Sequence, residues 1–73
     1  MPGMLLARGR PQEALEVLAA VAAKEPRHIG AHINLGEAYL VLGRRLEAAG
    51  EFRAALALDP RNERAVQMLK GLQ

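Results

Sequence analysis

Residues 29–62 read IGAHINLGEAYLVLGRRLEAAGEFRAALALDPRN, and this segment carries the strongest structural signals in the 73-residue chain. Gly43 suits the left-handed backbone conformation that ends many helices. Pro60 has no N–H group and disfavours helix in the residue before it. The segment is therefore predicted to contain two helices separated by a short turn at Gly43.

The same pattern recurs at an interval of 34 residues. When the chain is shifted against itself by 34, eleven of the 39 compared pairs are identical. The matches of Gly9 with Gly43 and of Pro26 with Pro60 weigh most, because glycine and proline mark the ends of helices. The sequence therefore predicts an all-α chain of about five helices. They are expected at about residues 2–8, 11–24, 28–42, 45–58 and 62–72.

One glycine stands inside a predicted helix rather than at its end. Gly36 costs about 1 kcal/mol of helix stability relative to alanine, so a compensating contact is expected. Its lack of a side chain lets a neighbouring helix come close. The large residues Leu35, Tyr39 and Phe52 are predicted to fill the space between such helices.

Composition argues against an enzyme. The chain has no Cys, Ser, Thr or Trp, so it offers no disulfide, no Cys-based zinc site and none of the usual hydroxyl or thiol nucleophiles except the phenol of Tyr39. Neither a glycine-rich phosphate loop nor a nucleophile constellation is present. The sequence therefore predicts a non-enzymatic protein without a cofactor.

The charge pattern gives little support to nucleic-acid or membrane binding. Ten basic and eight acidic residues leave a net charge of +2, and the longest basic cluster is the pair Arg44-Arg45. Nucleic-acid binders usually concentrate charge on one face or in a run. No apolar run approaches the roughly 20 residues of a membrane span. A small basic nucleic-acid binder is therefore the weakest of the functional alternatives, and a cytoplasmic location is the default expectation.

Two histidines four residues apart raise the possibility of a metal site. His28 and His32 would lie on one face of a helix, as metal ligands do. Glu25 precedes the break at Pro26, and Glu37 is rotated off that face, so a third ligand is missing. We expect His28 to cap a helix and His32 to pack between helices, with no metal bound.

Residues 29–62 resemble a tetratricopeptide repeat, the 34-residue helix–turn–helix unit that stacks into solenoids. The likeness rests on eight positions at the family's spacing, where His32 alone departs by replacing the usual Trp. These repeat-packing positions are His32, Leu35, Gly36, Tyr39, Ala48, Phe52, Ala55 and Pro60. The resemblance implies a short right-handed solenoid of antiparallel helix pairs. It would form one domain, with a partial repeat over about 1–28, a full repeat over 29–62 and a terminal helix over 63–73.

The resemblance also implies where a partner binds. In this family the first helix of each repeat lines a concave groove that receives a peptide or a partner helix. Carried over to this chain, the groove consists of Ile33, Asn34, Glu37, Leu40, Val41, Arg64, Gln67 and Met68. Asn34 matches an asparagine that some members use to hold a peptide. Gln67 and Gly71 stand where members that clamp a terminal carboxylate have Lys and Arg, so that form of recognition is not expected.

A second hypothesis is self-assembly through the ends of the solenoid. Met4, Leu5 and Leu6 form a short apolar segment within an incomplete first repeat. An open solenoid end exposes apolar surface, and a second copy of the chain or an exchanged helix would cover it. The sequence thus leaves two functions open, which are partner binding in the groove and formation of a homo-oligomer.

Overall fold

The computed structural model describes residues 11–72, which form four helices joined by short turns. The helices are α1 (Pro11–Lys24), α2 (Ile29–Val41), α3 (Arg45–Leu58) and α4 (Glu63–Leu72). The all-helical prediction is confirmed, and the four helices begin and end within one residue of the predicted bounds. The predicted helix at about 2–8 and the apolar residues Met4, Leu5 and Leu6 lie outside the described residues.

Each helix packs against the next one along the chain. Helix α2 contacts both α1 and α3, and α3 contacts both α2 and α4. The side chains buried between α2, α3 and α4 are Ile33, Ala48, Phe52, Ala55 and Ala65. Three of these five residues are alanines, so the helices approach closely, and Phe52 is the largest side chain that is fully buried.

Gly36 and Phe52 form the closest contact between α2 and α3. A Cβ atom placed on Gly36 would lie 2.6 Å from both Cε1 and Cζ of Phe52, well inside the distance that two carbon atoms tolerate. The Phe52 ring is fully buried. The helix-weakening glycine is therefore explained by an aromatic ring that occupies the space of its missing side chain.

The turn between α2 and α3 satisfies the backbone groups at the end of α2. Gly43 has φ of +77°. Its N–H donates to the carbonyl of Leu40 at 3.0 Å, and the N–H of Arg44 donates to the carbonyl of Tyr39 at 2.8 Å. These two bonds form a Schellman motif, which requires a residue that accepts the left-handed conformation.

The starts of α2 and α4 are capped in the same way, 34 residues apart. Nδ1 of His28 accepts a hydrogen bond from the N–H of Ala31 at 2.9 Å. Oδ1 of Asn62 accepts one from the N–H of Ala65 at 3.0 Å. Both bonds go to an N–H group in the first turn of a helix, where backbone donors lack the usual carbonyl four residues earlier. The N–H of Ala31 is shared, because it also donates to the His28 carbonyl at 3.1 Å. The sequence period is thus reproduced in the hydrogen bonds that start the helices.

None of the helices within residues 11–72 is both long enough and apolar enough to cross a membrane.

The Gly36 contact predicts opposite effects for two glycine-to-alanine changes. Gly36→Ala should lower the free energy of unfolding by about 1–3 kcal/mol, because a methyl group overpacks the Phe52 ring. Gly50 lies within α3, where an added Cβ meets no atom within 4 Å. Gly50→Ala should therefore raise the free energy of unfolding by roughly 0.5–1 kcal/mol. Urea denaturation followed by circular dichroism measures both changes. Equal stabilisation by the two alanines would contradict the proposed role of Gly36.

Candidate functional site

Two residues predicted to line the groove join α2 to α4. Nε of Arg64 donates to Oε2 of Glu37 at 2.6 Å, and Nη2 of Arg64 contacts the same carboxylate oxygen. The Glu37 side chain is 20% exposed and that of Arg64 is 65% exposed. The ion pair therefore lies at the surface where the two helices face each other, and the charge of Glu37 is balanced within the protein.

A pocket of about 440 Å³ opens beside the C-terminal halves of α2 and α4. Its volume is within the range of small ligand sites. The residues that line it come from α2, from α4 and from the turn that begins α3. They are Leu40, Gly43, Arg45, Gln67, Met68, Gly71 and Leu72. The structure thus brings together Leu40, Gln67 and Met68 of the predicted groove.

The floor of the pocket is apolar. Leu40, Met68 and Leu72 are partly buried and pack against the core, so each presents its remaining surface to the opening. Gly71 contributes space, since an added Cβ there would meet nothing within 4 Å. The pocket therefore offers room for an apolar side chain against a wall of aliphatic groups.

Arg45 supplies positive charge at the rim of this pocket. Its neighbour Arg44 forms two hydrogen bonds with Glu47, at 2.7 and 2.8 Å, and its guanidinium lies 5.3 Å from the centre of the Tyr39 ring. Arg45 is exposed and forms no hydrogen bond or ion pair with any residue of 11–72. Within the described part of the chain, Arg44 is thus engaged by neighbouring side chains and Arg45 is not. The sequence did not identify Arg45, Leu72 or Gly43 as groove residues, because nothing in their spacing marks them as neighbours. It placed Gly71 only at a position where carboxylate-clamping members carry Arg.

One residue assigned to the groove is buried instead. Ile33 is 8% exposed and belongs to the core cluster, so its prediction as an open groove contact is corrected. Helix α2 packs against both α1 and α3, which leaves a narrower free face than its sequence suggests. Asn34 is half-buried. Val41, the last residue of α2, is 56% exposed.

The eight repeat-packing positions differ in burial. Leu35, Gly36, Ala48, Phe52 and Ala55 are buried. Tyr39 is partly buried and packs against the core, whereas Pro60 is exposed in the turn between α3 and α4. His32 is mostly covered and has a polar environment. Its Nδ1 lies 2.9 Å from Oε1 of Glu51, and its Nε2 lies 2.8 Å from the carbonyl oxygen of Pro26.

His28 and His32 have separate roles. His28 caps α2 through Nδ1, and both nitrogens of His32 are engaged by protein oxygens. No group of three or more His, Asp or Glu side chains within the described part of the chain could hold a metal ion. Both histidines therefore make hydrogen bonds within the protein.

Stacked antiparallel helix pairs with a 34-residue period define a helical-repeat protein. The family model of the tetratricopeptide repeat matches residues 5–72, and the chain belongs to this family. No curated protein sequence matches the chain. Tetratricopeptide repeats generally mediate protein–protein interactions, and the family typically comprises non-enzymatic interaction modules.

The ion pair between α2 and α4 should contribute little to stability. A double-mutant cycle with Glu37→Gln and Arg64→Gln should give a coupling energy of about 0.2–1 kcal/mol, because Arg64 remains largely in water. The coupling should fall further in 0.5 M salt, which screens exposed charges. Urea denaturation of the four proteins at two salt concentrations measures it. A salt-insensitive coupling above about 2 kcal/mol would show instead that the pair holds the two helices together.

Proposed function

We propose that the chain binds a short peptide or the end of a partner helix in the groove between α2 and α4. The observation that carries this proposal is the pocket of about 440 Å³, whose lining combines an apolar floor with Arg45, an exposed arginine that has no ion-pair partner among residues 11–72. An apolar side chain of the partner occupies the pocket. A carboxylate from an acidic side chain of the same partner pairs with Arg45.

The apolar part of the site supports binding of an aliphatic or methionine side chain. Burying a side chain of this size contributes about 1.5–3 kcal/mol. Met68 is flexible and polarizable, so it can adjust to different partner side chains. The free energy gained by filling this one pocket is too small for a stable complex. The partner therefore needs further contacts along the groove.

The charged part of the site supports selection of an acidic partner. A guanidinium binds a carboxylate through two parallel hydrogen bonds, which fixes orientation as well as adding energy. Glu37 lies in the same groove, but its charge is already balanced by Arg64. Because Arg64 already balances the charge of Glu37, this carboxylate adds no unpaired negative charge to the groove that contains Arg45.

A selection from a library of random 12-residue peptides displayed on phage tests the proposal. Peptides selected on the wild-type protein should combine an acidic group with Leu, Met or Phe close by. In fluorescence anisotropy, Arg45→Glu should weaken the selected peptides by at least about tenfold, equivalent to about 1.4 kcal/mol. Arg53→Glu is the matched control, since Arg53 is an exposed arginine of α3 outside the pocket. Asn34→Ala and Glu37→Lys should also weaken binding without unfolding the domain.

A second pair of variants tests the pocket itself. Gly71→Leu should fill the open space at the pocket wall and reduce peptide affinity by at least about tenfold, while favouring the helix. Gly50→Leu makes the same change at an open helical position away from the pocket, and should leave affinity unchanged. This groove would be ruled out as the binding site if the selected peptides bound the four groove variants as tightly as the wild type. These variants are Arg45→Glu, Asn34→Ala, Glu37→Lys and Gly71→Leu.

Self-assembly is the second candidate function, and exposed apolar side chains support it. Leu46, near the start of α3, is 90% exposed. Other large apolar side chains with substantial exposure are Val17, Val41 and Leu58. Sedimentation of the 73-residue chain over a concentration series up to about 100 μM tests this function. A strict monomer argues against it, whereas an oligomer that Leu46→Glu or Leu5→Glu dissociates favours it over groove binding.

A further inference from the structure

His32 lies between two groups that can only accept hydrogen bonds. Nε2 is 2.8 Å from the carbonyl oxygen of Pro26, in the turn between α1 and α2. Nδ1 is 2.9 Å from a carboxylate oxygen of Glu51 on α3. A neutral imidazole carries a single N–H and can donate to only one of these oxygens. The imidazolium form carries two and can donate to both.

We propose that His32 is a proton-dependent clamp, which in its charged form ties the turn between α1 and α2 to helix α3. The clamp spans three parts of the chain, because His32 itself belongs to α2. It is independent of peptide binding in the groove, and its residues do not line the pocket.

The turn at Pro26 restrains helix α1, the first helix that the structure describes. Helix α1 makes most of its tertiary contacts with α2, and the turn at Pro26 is the covalent link between these two helices. Fixing the Pro26 carbonyl to His32 therefore restrains the place where α1 joins the rest of the stack. Release of this bond should loosen α1 against α2 before it affects the packing of α2 on α3, where Phe52 is fully buried.

The surroundings of His32 favour the charged form. The hydrogen bond with Glu51 is the largest cause that raises its pKa above 6.5, followed by the bond to the Pro26 carbonyl, while burial opposes them. Within residues 11–72, Glu51 of α3 is the charged side chain whose field acts on the ring. The turn contributes a neutral carbonyl. The His32 side chain is 13% exposed and that of Glu51 is 26% exposed, so water screens the pair only in part.

The direction of the pH effect follows from the raised pKa of His32. A group that binds its proton more tightly in the folded state stabilises that state fully below its unfolded pKa, near 6.5. This contribution is lost as the pH rises through the folded pKa, which lies above 6.5. The clamp should therefore be closed in mildly acidic solution and open progressively above pH 6.5.

The hydrogen bond made by His28 requires a ring nitrogen without a proton, whereas the clamp requires protons on both ring nitrogens of His32. Nδ1 of His28 accepts the N–H of Ala31, so the neutral imidazole is the form that caps α2. Asn62 makes the corresponding bond at the start of α4. His28→Asn should therefore keep the cap while leaving His32 as the only histidine, and this variant serves as the parent protein for the experiment.

Nuclear magnetic resonance of the ring nitrogens tests the clamp directly. In the His28→Asn protein, the ¹⁵N shifts of His32 should show both nitrogens protonated at pH 5.5, and the titration midpoint should lie above 6.5. Glu51→Gln should move the midpoint downward, because it removes the charge that holds the proton. A midpoint at or below 6.5 would overturn the proposal, as would one that Glu51→Gln leaves unchanged.

Denaturation as a function of pH provides the second readout. The urea midpoint of the His28→Asn parent should fall between pH 6 and pH 8.5, and this fall should be smaller after His32→Gln. Glu51→Gln keeps His32 in place and should also reduce the fall, so the test stands even if His32→Gln does not fold. Amide exchange in the turn and in α1 should accelerate over the same pH range in the parent. Identical pH dependence in all three proteins would overturn the proposal.

Discussion

The contact of Phe52 with Gly36 is the constraint on which the rest of the structure depends. The ring occupies the space where any side chain on residue 36 would stand, and this brings α2 and α3 close together. Alanines at positions 48 and 55 permit the same approach along α3. A single buried aromatic ring thus sets the geometry of the helix pair, because closely packed interiors tolerate neither extra volume nor cavities.

That helix pair then positions α4 and the site. Ala65 of α4 packs into the cluster formed by the pair, and this contact leaves the C-terminal halves of α2 and α4 separated by the pocket. Leu40, Met68 and Leu72 each bury part of their surface against the core and expose the rest to the pocket. The pocket wall and the core therefore share the same side chains, as expected for a tetratricopeptide repeat, where neighbouring repeats complete one another's core.

The two histidines show how a repeat can vary chemically without changing its backbone. His28 and Asn62 are equivalent in the 34-residue period and make the same capping bond. His32 replaces the Trp usual in the family at a packing position, and its ring nitrogens lie within hydrogen-bond distance of Glu51 and of the Pro26 carbonyl. An imidazole at this place adds polar contacts between a turn and two helices, which an indole with one N–H could not make on both sides.

The sequence by itself determined the helices, their period and the close approach at Gly36. These depend on local rules, since glycine and proline end helices wherever the fold places them. Only the tertiary structure decided that Ile33 is buried and that His32 lies beside two acceptors. It also decided that Arg44 is paired with Glu47 while Arg45 has no ion-pair partner among residues 11–72. Each of these facts depends on residues distant in the chain, whose meeting is set by the angle and spacing of packed helices. Periodicity places a residue on a face of its helix, but the neighbouring helices decide how much of that face stays open.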